Sequence, residues 1–131
     1  PSNGARALLV LADKGFIEVK DKNSVTTTVA DITKNDKKYK IQELDAASIP
    51  KAMPDLDIAV INANYALVAK LNPSKDSLLI ERNDNPFLNV FVTTKANEKD
   101  PRIAQLKKIY QSAENKKFIA DHFKGTITAG F

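Results

Sequence analysis

The sequence predicts an α/β protein in which a mostly parallel sheet is flanked by helices. Two observations carry this. Apolar stripes at helical spacing alternate along the chain with short β-rich runs, the order that builds parallel sheets through helical crossovers. One of those runs, Ile58-Ala59-Val60-Ile61, is apolar without interruption, as expected of a central strand covered on both faces. Composition agrees. The chain has 131 residues, 43% hydrophobic and 27% charged, enough to bury a core without disulfides or a structural metal.

The elements follow in order. Ala5, Leu8, Leu9 and Ala12 fall on one face of a helix, with Val10 and Leu11 widening it. Ser2 or Asn3 caps its start and Gly15 ends it. Phe16 to Lys20 reads as a short strand and Asp21 to Ser24 as a turn. Thr26 to Thr33 is open between a strand, for its β-branched residues, and a short helical turn at Ala30-Asp31. Tyr39 to Leu44 alternates like a strand, and Ala46 to Met53 reads as a short helix around Pro50. After the Ile58–Ile61 run, Asn62 to Leu71 is helical and Asn72-Pro73 stops it. Leu78 to Ile80 and Phe87 to Thr94 are strand candidates separated by the Asn83-Asp84-Asn85-Pro86 loop. Asp100-Pro101 opens a helix with Ile103, Leu106, Ile109 and Tyr110 as its buried stripe. Ala113 to Lys124 continues helical, with Phe118, Ile119 and Phe123 inward and Gly125 at its end.

Several function classes are excluded or unsupported. Twenty Lys and Arg against 16 Asp and Glu leave a net charge of only +4. The short lysine groups, such as Lys37-Lys38 and Lys107-Lys108, stand among acids and apolar positions, so no nucleic-acid partner is expected. No cysteine is present, which removes disulfides and thiolate chemistry from this chain. No apolar run approaches the roughly 20 residues that a bilayer span needs. There is no HExxH, GxSxG, Walker or GxGxxG motif, and only 4 glycines. The single histidine, His122, reads as a helix-surface residue, and Asp55 with Asp57 is weak evidence for acid–base or metal work. No enzymatic activity and no cofactor or metal are expected. The opening Pro1-Ser2-Asn3-Gly4 carries neither an initiator Met nor a signal core, which reads as a chain cut at a domain boundary.

Three polar residues break local rules. Arg6 sits in the first turn of a helix, where the dipole favours anions. Either it pairs with an acid such as Asp57, or it joins the free amides of that turn in clamping a carboxylate or phosphate. Asn62 stands where a buried strand hands over to a helix. It is either an N-cap or a ligand contact at the carboxyl end of the sheet. Asn89 interrupts Phe87-Leu88-Asn89-Val90-Phe91-Val92. An amide there either faces outward or serves a ligand or polar network.

Three segments, Asn3-Gly4-Ala5-Arg6-Ala7-Leu8-Leu9, Ala59-Val60-Ile61-Asn62-Ala63-Asn64-Tyr65-Ala66 and Asn85-Pro86-Phe87-Leu88-Asn89-Val90, together resemble the NlpA/MetQ family, methionine-binding lipoproteins of bacterial ABC importers. Leu71-Asn72-Pro73-Ser74-Lys75-Asp76, Tyr110-Gln111-Ser112 and the tail from Gly125 to Phe131 extend the likeness over the chain. The resemblance implies a type II periplasmic-binding-protein architecture with two α/β lobes around a cleft, of which this chain is the carboxyl-terminal portion. Residues 1–95 would form the second lobe, and 96–131 the helices and tail that pack on the missing first lobe. It implies that Arg6 pairs with the ligand carboxylate and that Asn62 and Asn89 contact the amino-acid backbone. It also implies methionine or a related amino acid as ligand, an ABC permease as partner, and a lipid anchor outside this chain that holds the protein in the cell envelope. Phe87 stands where the family often has Tyr, and Thr26 to Lys40 is less similar. The competing expectation is a surface lipoprotein that acts as an interaction module without transporting a ligand.

Overall fold

The apolar stripe at the start of the chain forms the first helix. In the computed structural model, which describes residues 3–82, 87 and 89–131, α1 spans Gly4–Asp13 and buries Ala5, Leu8, Leu9 and Ala12. These are the positions that helical spacing selects. Asn3 holds the cap position, but its side chain makes no capping bond. Ser2, the other expected cap, lies outside the described residues. The far end closes as its glycine predicts. Gly15 takes a φ of +77°, and the Phe16 amide then donates to the Leu11 carbonyl at 3.0 Å, which satisfies a terminal carbonyl of the helix.

The chain then turns into β1, Glu18–Val19, which pairs antiparallel with β2, Ile32–Lys34. Glu18 faces Lys34 and Val19 faces Ile32, with an irregularity between the two pairs. The stretch left open between strand and turn contains both. Val29–Asp31 is a 3-10 turn closed by a reciprocal box between Thr28 and Asp31, and β2 follows it directly. Leu8, Leu9, Ala12, Ile17 and Val19 make the core, with Leu11, Ile32, Tyr39, Ile41 and Phe87 packed around them. Each large side chain among them contributes about 1.5–3 kcal/mol by leaving water.

Beyond β2, two helices come where expected but shorter, and a third was not expected. Helix α2 is Ile49–Ala52, extended by a 3-10 turn at Met53–Asp55. Helix α3, Ala63–Val68, follows Asn62 at its cap position. Helix α4, Pro73–Asp76, starts where Asn72 accepts the Ser74 amide.

The strand expectations need correction. Among the described residues the only sheet is the antiparallel β1–β2 pair, so the mostly parallel sheet is not formed there. Ile58–Ile61, expected to be buried on both faces, makes no ladder, and Ile58 is 45% exposed. Leu78–Ile80 also lacks a partner, with Leu78 98% exposed. Tyr39–Leu44 is no strand either, although Tyr39 and Ile41 do turn towards the core. Of Phe87–Thr94, the described residues are unladdered, and Leu88 lies outside them. The physical reason is common to all four. Apolar patterning selects which side chains leave water, but a strand exists only where a neighbour accepts and donates along it.

The chain divides into two compact units, residues 1–87 and 88–131. The second holds α5, Pro101–Tyr110, capped by Asp100, and α6, Ala113–Phe123, capped by Ser112. Phe91 meets Tyr110 edge-on with ring centroids 4.7 Å apart. The expected inward stripes are corrected here too, because neither helix buries a residue. Ile109 is 60% and Phe118 56% exposed. A unit this small has too little surface to enclose both helices.

Candidate functional site

Arg6 lies one turn into α1, on the side that faces the segment around residue 81. Its Nε donates to Glu81 Oε2 at 2.9 Å, and its Nη2 donates to Glu81 Oε1. The guanidinium is thus held through one edge by both carboxylate oxygens, the geometry in which Arg pairs most firmly. The Phe87 ring lies against it, 5.7 Å from centroid to guanidinium carbon, within reach of a cation–π attraction. Hydrogen bonding to Glu81 raises the pKa of Arg6 against the opposing effect of burial, so Arg6 carries its charge at every accessible pH. The acid suggested from the sequence as its structural partner, Asp57, is not the one used. Glu81 is, because the chain after Leu78–Ile80 runs back beside α1.

A second pair supports the first. Asp13, two turns further along α1, accepts from Arg82 Nε at 3.2 Å. Neighbouring residues of opposite charge, Glu81 and Arg82, therefore grip residues of opposite charge on one helix. Between them, lined by Leu9, Val10, Lys22 and Phe87, remains about 10 Å³ of free space. This is room for about one water molecule and not for an amino acid. An open hollow of about 410 Å³ in the second unit is bordered by Phe91, Val92 and Lys95, all of them exposed.

Asn62 has extended backbone at the N-terminal cap of α3, yet its side chain accepts no capping bond. The cap explanation accounts for its place and not for its amide. It is half-buried, and it shares the first unit with Arg6. Asn89 is exposed and belongs to the second unit. His122 is exposed in the last turn of α6, stacked on Phe118 with centroids 5.2 Å apart.

Sequence reasoning missed Glu81, Arg82 and the contact with Phe87. A faint signal existed in the matching order of charge, Arg6 and Asp13 on one helical face against Glu81-Arg82 after an apolar run.

The comparisons with known proteins agree with this frame. The model of the NlpA lipoprotein family matches residues 1–131. A probable D-methionine-binding lipoprotein MetQ of Vibrio cholerae is 34% identical over 131 residues, covering 100% of this chain and 49% of that protein. Outer membrane lipoprotein 2 of Mannheimia haemolytica is 36% identical over 130 residues, covering 99% of this chain and 47% of that protein. Among solved structures, a nutrient binding protein from Burkholderia cenocepacia bound to methionine superposes with a TM-score of 0.78 at 44% identity, over 100% of this chain and 56% of that one. The chain thus spans about half the length of the relatives it matches. With a family model matched from the first residue to the last, this chain belongs to the NlpA lipoprotein family.

Proposed function

We propose that this chain is the carboxyl-terminal portion of the substrate-binding component of an amino-acid ABC importer, capturing methionine or a related amino acid between two lobes of a type II periplasmic binding protein. The observation that carries this reading is the likeness of the whole of this chain to 56% of a methionine-bound binding protein, at 44% identity. Residues 1–95 belong to the second lobe, whose parallel sheet is completed in the whole protein, and 96–131 return to the first lobe. The protein is held in the cell envelope by a lipid anchor outside this chain and delivers its ligand to a permease. It performs no chemistry on the ligand.

Arg6 pairs with the ligand carboxylate, and Asn62 and Asn89 bind its backbone polar groups. The Asn62 amide, which makes no capping bond, supports its role, since it offers both a donor and an acceptor. Asn89 is exposed, as the outward-facing alternative has it, and its role rests on the family resemblance alone. Charge-assisted hydrogen bonds contribute about 1.5–3 kcal/mol each, so three such contacts supply roughly 5–9 kcal/mol before ordering costs. Nanomolar capture needs about 12 kcal/mol. Burial of the ligand side chain by the other lobe, with water excluded on closure, supplies the difference.

Calorimetry on the full-length protein with L- and D-methionine tests the reading. Arg6→Ala is expected to weaken binding by about tenfold or more, the size of one lost charge-assisted contact. Asn89→Ala is expected to lose affinity with an unchanged melting temperature. Unaltered affinity in Arg6→Ala would remove the carboxylate role. The absence of any amino-acid binding by the wild type would instead favour a surface lipoprotein that acts as an interaction module.

A further inference from the structure

We propose that Glu81 is a positioning residue for Arg6: by holding one edge of the guanidinium, it presents the other edge to an amino-acid carboxylate. This rests on the reading of Arg6 as the carboxylate clamp and names the group that makes the clamp rigid.

The donor count supports it. A guanidinium carries five N–H groups. Glu81 takes the one on Nε and one on Nη2. Three remain, and the second on Nη2 with the neighbouring one on Nη1 forms another fork of the spacing that a carboxylate accepts. Glu81 and a ligand therefore do not compete for the same hydrogens. The side chain of Arg6 keeps 33% of its surface exposed, so it is not wholly enclosed by its partners. The Phe87 ring adds a second contact, with the guanidinium carbon 5.7 Å from its centroid, within cation–π reach. Glu81 is itself restrained, because the next residue, Arg82, is tied to Asp13 on the same helix. An unsupported Arg would lose rotamer freedom on meeting a ligand, whereas one already fixed loses little. Glu81 also offsets the cation that Arg6 places at the positive end of α1, and its negative charge opposes a second carboxylate, so the positioning role rests on geometry and restraint.

The alternative is a Glu81 carboxylate that imitates the ligand and must leave before it binds. The two predict opposite signs. In the full-length protein, Glu81→Gln is expected to bind methionine about tenfold more weakly, the loss of roughly one charge-assisted contact. Methioninamide, which lacks the carboxylate, should change less than about twofold, since a group acting through Arg6 does not couple to it. Glu81→Asp should recover part of the methionine affinity. In an Arg6→Ala background, Glu81→Gln should have no further effect. Unchanged or tighter methionine binding by Glu81→Gln overturns the proposal, as does equal weakening of both ligands, which marks a purely structural role. If Arg6→Ala itself leaves binding intact, the clamp reading fails and this one with it. If Arg6→Ala weakens binding and Glu81→Gln does not, only the positioning role fails.

Discussion

Arg6 and Arg102 each place a guanidinium in the first turn of a helix, and each is answered by a carboxylate in a different way. Arg102 of α5 pairs with Asp100, the cap residue two positions before it, at 2.6 Å. That pair is local, and exposed pairs of this kind contribute little. Arg6 draws its carboxylate from 75 residues away, and both partners are partly shielded from water. Local rules thus explain Arg102 and leave Arg6 in need of another reason. Reading from sequence exposed Arg6 because it broke a rule, but it could not find Glu81, since charge carries no address along the chain. Asp31 supplies a prediction at this scale. The Thr28 backbone N–H, the Thr28 hydroxyl and the Lys20 ammonium all donate to its carboxylate, holding its pKa down at about 2. A depressed carboxyl stabilises the fold above its unfolded value of about 3.9, and this contribution disappears as pH falls through about 2. An NMR titration should show the Thr28 amide shifting with a midpoint near 2. A midpoint near the ordinary carboxyl value would mean that the Thr28–Asp31 box is not formed in solution.

At the scale of elements, helix ends were more legible than strands. Helices α1 and α5 begin within a residue or so of the signals named for them, because Pro at the first position and a terminal Gly act on the backbone next to them. From sequence, α6 reads as a continuation of α5, with no cap named at Ser112. Of the strand candidates, residues 16–20 supply β1, which has a nearby partner, and the other four failed for the opposite reason. Their partners lie far along the chain, and apolar runs such as Ile58–Ile61 do not name them. Helix termini also yield paired predictions. Gly15 has a φ of +77°, so Gly15→Ala should destabilise by about 1–2 kcal/mol. Lys70 ends α3 in the same left-handed region, at φ 61°, where Lys70→Gly should stabilise by up to about 1 kcal/mol. Leu8→Ala, at the centre of the core with 3% exposure, should cost about 2–5 kcal/mol. Thermal denaturation followed by circular dichroism measures all three, and a neutral Gly15→Ala would argue against the helix ending described for α1.

For the molecule as a whole, the family likeness was readable from three short motifs, whereas the packing around them was not. Leu78, Val92, Ile109 and Phe118 are large apolar side chains left exposed, and their burial between copies would be favourable. The isolated 131-residue chain should therefore self-associate and bind a dye such as ANS. A monodisperse monomer by light scattering would contradict this. The core offers a different consequence. Every member except Phe87 lies between Leu8 and Ile41, so it can assemble by closing short loops, while the grip of Glu81 on Arg6 must close a far longer one. On refolding, pulse-labelled amides of α1, β1 and β2 should gain protection first, with the arginine's anchorage arriving as a late event on a nucleus already in place.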